Sequence, residues 1–222
     1  MIDLKRIVLG PIETNVYIIT NTETRESILV DPAERGKLLY ENIENNGNKC
    51  VAVFLTHGHF DHITGLKSFN ELAHVPVYAA REEGEVLKDA RLNCSDEGFG
   101  TGAPMSIDVD HLLEDGDEID VAGMHWKMIL TPGHTKGSCC YYLESEKILL
   151  SGDTIFEGSV GRTDLPTGSM RELLTSINTK IKGLPDDVEI YPGHGGFTTI
   201  RDEKQYNMYF SWHGTNLPPD DI

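Results

Sequence analysis

Residues 57–62, His57-Gly58-His59-Phe60-Asp61-His62, carry three imidazoles and a carboxylate. In extended chain, side chains two positions apart point the same way, so His57 and His59 can serve one metal ion, while Asp61 and His62 fall where the chain turns onward. Imidazole with carboxylate is a donor set that borderline-soft divalent cations prefer. A lone histidine is more often a core or surface residue than a ligand, but three histidines and an aspartate at this spacing reverse that expectation. Three further segments place one potential ligand each beside a glycine: Thr131-Pro132-Gly133-His134-Thr135, Ser151-Gly152-Asp153-Thr154 and Tyr191-Pro192-Gly193-His194-Gly195. Pro and Gly fix a tight turn and let backbone approach a site closely. Seven candidate metal ligands result: His57, His59, Asp61, His62, His134, Asp153 and His194.

These residues need strand ends to hold them. Short apolar or β-branched runs at Leu4 to Leu9, Val16 to Thr20 and Ser27 to Asp31 predict antiparallel strands. A helix is expected over Glu34 to Asn46, and Cys50 to Leu55 is an apolar run too short for a helix, hence a buried central strand. His62 to Ala73 has apolar residues three apart and predicts a helix packed on one face. A strand follows Pro76, then a polar helix over Arg81 to Leu87, then a glycine-rich loop from Asn93 to Met105 expected to border the site. Strands are expected near His111 to Leu113, Glu118 to Val121, Trp126 to Thr131, Ser138 to Leu143, Lys147 to Leu150 and Val188 to Tyr191. Helices are expected over Ser169 to Ile181 and Asp202 to Phe210. Two runs of strands, each followed by helices, argue for an αββα sandwich of two mixed sheets within the α+β class. One domain over 1–210 with a tail at 211–222 is expected, Asp31-Pro32 reads as architectural, and His74, His111, His125 and His213 as structural or surface residues.

Composition excludes several classes of partner. Acidic residues number 36 against 19 basic, a formal charge of −17, which opposes nucleic-acid binding. No apolar run is long enough to cross a bilayer. The start Met1-Ile2-Asp3-Leu4-Lys5-Arg6 lacks the pattern of a secretory signal, so the expected location is cytoplasmic. Cys50, Cys94, Cys139 and Cys140 show no paired metal spacing and read as buried thiols.

Thr-His-Gly-His-Phe-Asp-His, Thr-Pro-Gly-His-Thr, Ser-Gly-Asp-Thr-Ile-Phe and Tyr-Pro-Gly-His-Gly, in this order over nearly the whole chain, resemble the metallo-β-lactamase superfamily. Within it, the chain resembles the short single-domain relatives of glyoxalase II, the hydroxyacylglutathione hydrolases. The resemblance implies that His57, His59 and His134 hold one metal, that Asp61, His62 and His194 hold the other, and that Asp153 bridges them. The implied cofactor is a pair of divalent ions, Zn2+ with Fe or Mn as alternatives. The implied reaction is hydrolysis of a small acyl thioester, S-lactoylglutathione or a related thiol ester, by a hydroxide bridging the metals, with Asp61 as a catalytic proton acceptor. Glyoxalase II proper adds a C-terminal helical domain for which residues 195–222 are too few. It also has Gly-Lys-Phe-Tyr where this chain has Gly161-Arg162-Thr163-Asp164. Arg162 is a candidate clamp for a substrate carboxylate, or with Asp164 the salt bridge of a surface loop. Gly-Arg-Thr-Asp also occurs in persulfide dioxygenases, which bind one iron through residues matching His57, His134 and Asp153. The stretch from Tyr191 onward fits the hydrolases better.

Overall fold

The computed structural model describes residues 1–96 and 103–211. The first sheet has six strands in sequence order: β1 (Ile2–Leu9), β2 (Thr14–Asn21), β3 (Glu26–Val30), β4 (Lys49–Phe54), β5 (Val77–Ala80) and β6 (His111–Leu113). Its first two pairings are antiparallel and the rest parallel. The second sheet runs β14 (Thr198–Thr199), β13 (Glu189–Pro192), β10 (Ile148–Gly152), β9 (Cys139–Leu143), β8 (Met124–Leu130) and β7 (Glu118–Val121). It is antiparallel except for the parallel β10–β13 pair. Both sheets are therefore mixed. A two-stranded hairpin, β11 (Ile155–Phe156) with β12 (Ser159–Val160), stands apart from them.

Alternation along the strands sorts side chains into three apolar layers. In β2, Val16 and Ile18 face the helices α1 (Gly36–Asn45) and α3 (Leu66–Ala73), whereas Tyr17 and Ile19 face the other sheet. In β9 the adjacent Cys139 and Cys140 point to opposite faces, Cys139 between the sheets and Cys140 toward α5 (Met170–Ser176), and both are buried free thiols. Phe54, Trp126, Met128, Tyr141 and Leu150 belong to the layer between the sheets. The result is the αββα sandwich of the α+β class.

Several elements differ from the sequence expectation for local reasons. The helix expected over His62 to Ala73 is two pieces, α2 (Phe60–Ile63) and α3, divided at Thr64-Gly65. A Cβ on Gly65 would stand 2.7 Å from Pro32 O, so backbone contact with the Asp31-Pro32 turn sets the break. The helix expected from Ser169 begins at Met170 with the Ser169 hydroxyl accepting from Glu172 N–H, but its second half, Ile177–Ile181, is a π-helix. The polar helix near Arg81 is a 3-10 turn, Arg81–Glu83, followed by α4 (Gly84–Lys88). The closing helix α6 (Ile200–Tyr206) starts earlier than expected and passes into a 3-10 turn, Met208–Ser211. The hairpin β11–β12 and the two-residue β14 are too short to leave a periodic signal. Most of the tail expected at 211–222, with His213, lies outside the described residues.

The topology brings the ends of β4, β8, β10 and β13 to one edge of the sandwich. Phe54, the last residue of β4, stacks on Tyr141 (ring centroids 4.5 Å apart) and meets Trp126 edge-on at 5.8 Å. It is fully buried. Phe54→Ala should destabilise the fold by about 3–5 kcal/mol in urea denaturation, from lost transfer energy and a cavity; a loss below about 1 kcal/mol would show that the sheets do not depend on this contact.

Candidate metal centre

All seven candidate ligands lie at that edge. His57 and His59 follow β4, with His59 extended (φ −63°, ψ 146°) at the start of α2, which carries Asp61 and His62. His134 follows β8, Asp153 follows β10 directly, and His194 follows β13. Their donor atoms form three overlapping groups, His57–His59–His134, His57–His62–Asp153 and Asp61–His62–His194, the atoms of each lying within 4.8 Å of one another. Asp153 lies between the triads: Oδ2 is 3.5 Å from His134 Nε2 and 3.4 Å from His194 Nε2, and Oδ1 is 3.4 Å from His62 Nε2.

Neighbouring groups hold the imidazoles in orientation. His62 Nδ1–H donates to Asp31 Oδ2 at 2.9 Å, His134 Nδ1–H to Arg162 O at 2.7 Å, and His194 Nδ1–H to Ile12 O at 3.2 Å. His57 Nδ1 lies 3.1 Å from Thr56 Oγ1, whose hydroxyl donates to Asp31 Oδ2 at 2.6 Å. Each contact turns Nε2 inward and fixes the tautomer. Asp31 thus orients one imidazole in each triad, directly or through Thr56, so it supports the site as well as the strand end to which its sequence position pointed. Gly193 admits the backbone: a Cβ there would stand 2.1 Å from Asp153 Oδ1 and 2.7 Å from His62 Cε1.

Sequence reasoning missed other supports, because each acts across a long separation with no local pattern. Thr14 donates to Asp61 Oδ2 at 2.9 Å. Asn15 and Tyr17 donate to Pro192 O at 2.9 and 2.6 Å, and Asn15 N–H donates to Gly193 O at 2.7 Å, tying the His194 loop to the first sheet. Glu83 is fully buried and accepts from the loops carrying His57, His59 and His134. Burial pushes its carboxyl up to about 7 against those hydrogen bonds.

The donor set fits divalent cations on its own terms. Within the cluster, His57 Nε2, His59 Nε2 and Asp153 Oδ1 are buried without a hydrogen-bond partner, and an unsatisfied buried polar atom costs about 1–3 kcal/mol. Burial drives His57 well below its ordinary value, with neighbouring imidazoles adding to the effect, and His59 down to about 3. These two rings are neutral, as ligation requires. Burial opposes the charged form of His62 too, but the Asp61, Asp153 and Asp31 carboxylates outweigh it and raise His62 well above its ordinary value. His194, where burial is likewise outweighed by Asp153 and Asp61, rises to about 9. Asp61 falls to about 2 and Asp153 is likewise held well below its ordinary value, each through the imidazoles beside it and despite burial.

A cleft of about 490 Å³ opens onto Asp61, His134, Asp153 and His194, with apolar walls from Ile12, Phe156, Val160 and Leu165. Arg162 lines it, but Nε and Nη2 donate to the two carboxylate oxygens of Asp164, each at 2.7 Å. The loop salt bridge is therefore present. Cys94, from the glycine-rich loop, also lines the cleft, and burial pushes its thiol up to about 11, away from thiolate chemistry. Residues 97–102 of that loop lie outside the described residues. His74 ends α3 in left-handed conformation, His111 stacks on Tyr78 at 4.4 Å, and His125 is exposed beside Asp120; none approaches the cluster.

Comparison with known proteins agrees with this geometry. The family model described as the metallo-beta-lactamase superfamily matches residues 9–194. A Bacillus subtilis protein named probable metallo-hydrolase YqgX is 35% identical, covering 93% of this chain and 97% of that protein. The Haemophilus influenzae protein named hydroxyacylglutathione hydrolase GloC is 29% identical over 90% of this chain and 93% of its own length. The crystal structure of BLEG-1, described as a B3 metallo-beta-lactamase, superposes with a TM-score of 0.88 at 36% identity, covering 95% of this chain and all of that one.

Protons and cations compete for the same nitrogens, which fixes the sign of a pH effect. At pH 7.5 the raised His62 and His194 hold protons that a metal must displace, whereas His57 and His59 hold none. Titration calorimetry of metal-free protein with Zn2+, in two buffers of different ionisation enthalpy, should show one binding step releasing about two protons and weakening as pH falls below about 9. Two steps with equal proton release would contradict the asymmetry.

Proposed function

The chain belongs to the metallo-beta-lactamase superfamily, and from that premise we propose that it is a two-metal hydrolase of small acyl thioesters, with S-lactoylglutathione or a related thiol ester as substrate. The observation that carries this reading is the placement of Asp153 between two donor triads, the seven side chains coming from four separate chain segments. His57, His59 and His134 would hold one cation, Asp61, His62 and His194 the other, with Asp153 between them. Zn2+ suits these donors, and Fe or Mn shares the preference for mixed imidazole and carboxylate. When bound, a pair of such cations activates water at neutral pH and offsets the negative charge that develops on a carbonyl oxygen.

The protein's own groups complete the chemistry. Asp61 is held ionised and receives the Thr14 hydroxyl; as a carboxylate it can take the proton of an attacking water, although its low basicity suits it better to ligation. Ile12, Phe156, Val160 and Leu165 form an apolar wall that suits an acyl chain and limits water around the reacting carbonyl. The cleft volume matches a small molecule. Arg162 is the candidate anion clamp: Asp164 occupies Nε and Nη2, so a substrate carboxylate would take the remaining guanidinium face. Similarity to a protein named for hydroxyacylglutathione hydrolysis supports the thioester. Similarity to BLEG-1 favours a second reading, β-lactam hydrolysis, which asks the same site to attack an amide carbonyl.

Zn2+-loaded protein should hydrolyse S-lactoylglutathione in preference to a cephalosporin, and Asp153→Ala should lower kcat/KM at least about a hundredfold. One iron per chain, with oxygen uptake on glutathione persulfide and no thioester cleavage, would replace the hydrolase with a dioxygenase. For Arg162→Ala the expected result is a raised KM at unchanged kcat; an unchanged KM would leave Arg162 only its loop salt bridge.

A further inference from the structure

We propose that Glu83 is a positioning residue for one half of the metal centre: its single buried carboxylate sets the spacing of the His57–His59–His134 triad, an inference that rests on the two-metal reading above. Glu83 ends the 3-10 turn after β5 and belongs to neither ligand loop. Its Oε1 accepts from Gly58 N–H at 2.7 Å, between His57 and His59. Its Oε2 accepts from the Thr135 hydroxyl at 2.8 Å and from Gly137 N–H at 3.0 Å, on the loop that follows His134. The two loops are thus held apart by the width of one carboxylate.

Placing a carboxylate at full burial is unfavourable unless donors surround it, and here they are the Thr135 hydroxyl and two N–H groups of irregular backbone that no strand pairs. Gly58 and Gly137 N–H would otherwise be buried without partners. The approach is tight on the second loop, since a Cβ on Gly137 would stand 2.2 Å from Glu83 N and 2.6 Å from its Cα. The outcome is a compact triad: the ring centroids of His57, His59 and His134 are 4.6 to 4.9 Å apart in every pair, and the rings are close to perpendicular. The other triad has supports that do not involve Glu83. Asp31 orients His62, Thr14 holds Asp61, and Ile12 O holds His194. Among the described contacts Glu83 reaches none of those three residues.

Glu83→Gln keeps the shape but places an NH2 against an N–H on one side, so one loop loses its anchor. The test measures Zn2+ affinity by chelator competition in two backgrounds. In His194→Ala, where the His57–His59–His134 triad is intact, Glu83→Gln should weaken Zn2+ about 10–100-fold, the range for supports one step removed from a ligand. In His59→Ala, where the remaining Zn2+ depends on Asp61, His62 and His194, the same change should cost less than about threefold. Metal-free unfolding, followed by circular dichroism, controls for stability. If Glu83→Gln does not fold, Thr135→Val removes one of the three hydrogen bonds and should weaken the first background a few-fold in the same direction. Equal weakening in both backgrounds, or none in the first, would overturn the assignment. An unsubstituted chain binding fewer than two Zn2+ would instead remove the two-metal reading beneath it.

Discussion

Five imidazoles and two carboxylates share one small, poorly solvated volume, and the rest of the structure depends on making that arrangement tolerable. Without cations the cluster is electrically contradictory: two histidines are driven neutral, two are driven charged, and a carboxylate oxygen is buried without a hydrogen-bond partner. A pair of divalent cations held by these residues would relieve all three, because ligation favours neutral imidazoles and ionised carboxylates. A net charge of −17 does not argue against an anionic substrate at such a place, because cations bound there would set the sign of the local field.

The sandwich suits this task because its ligands arrive on loops held by rigid strands. Parallel pairing of β10 with β13 brings Asp153 and His194 to the same end, and Gly193 N–H donates to Gly152 O at 2.9 Å across that gap. The beginning of β2 closes the site from the opposite sheet, through Thr14, Asn15 and Tyr17. The placement of the candidate ligands and the packing of the sheets are therefore coupled: Phe54, Trp126 and Tyr141 pack together between the sheets, and beside them Cys139 N–H donates to Thr56 O at 2.9 Å. Among the described residues no helix is long and apolar enough to cross a membrane.

Much of this was legible in the residues. The four motifs gave the seven candidate ligands that the fold gathers, and the short apolar runs in their order gave the two sheets, because both signals are local. Asp31, Thr14 and Glu83 were not legible in that way. Asp31 is separated from His62 by 31 positions and Glu83 from Gly58 by 25, and a buried acid that supports a ligand has the same local sequence as a surface acid. Gly65 shows the same limit for backbone: its contact with Pro32 O divides a helix whose apolar spacing runs on unbroken.

The most direct measurement is anomalous diffraction at the zinc absorption edge, from crystals of the whole chain grown with Zn2+. Two peaks should appear, one enclosed by His57, His59 and His134 and one by Asp61, His62 and His194, with the Asp153 carboxylate between them. A single peak, or metal bound away from Asp153, would contradict the account.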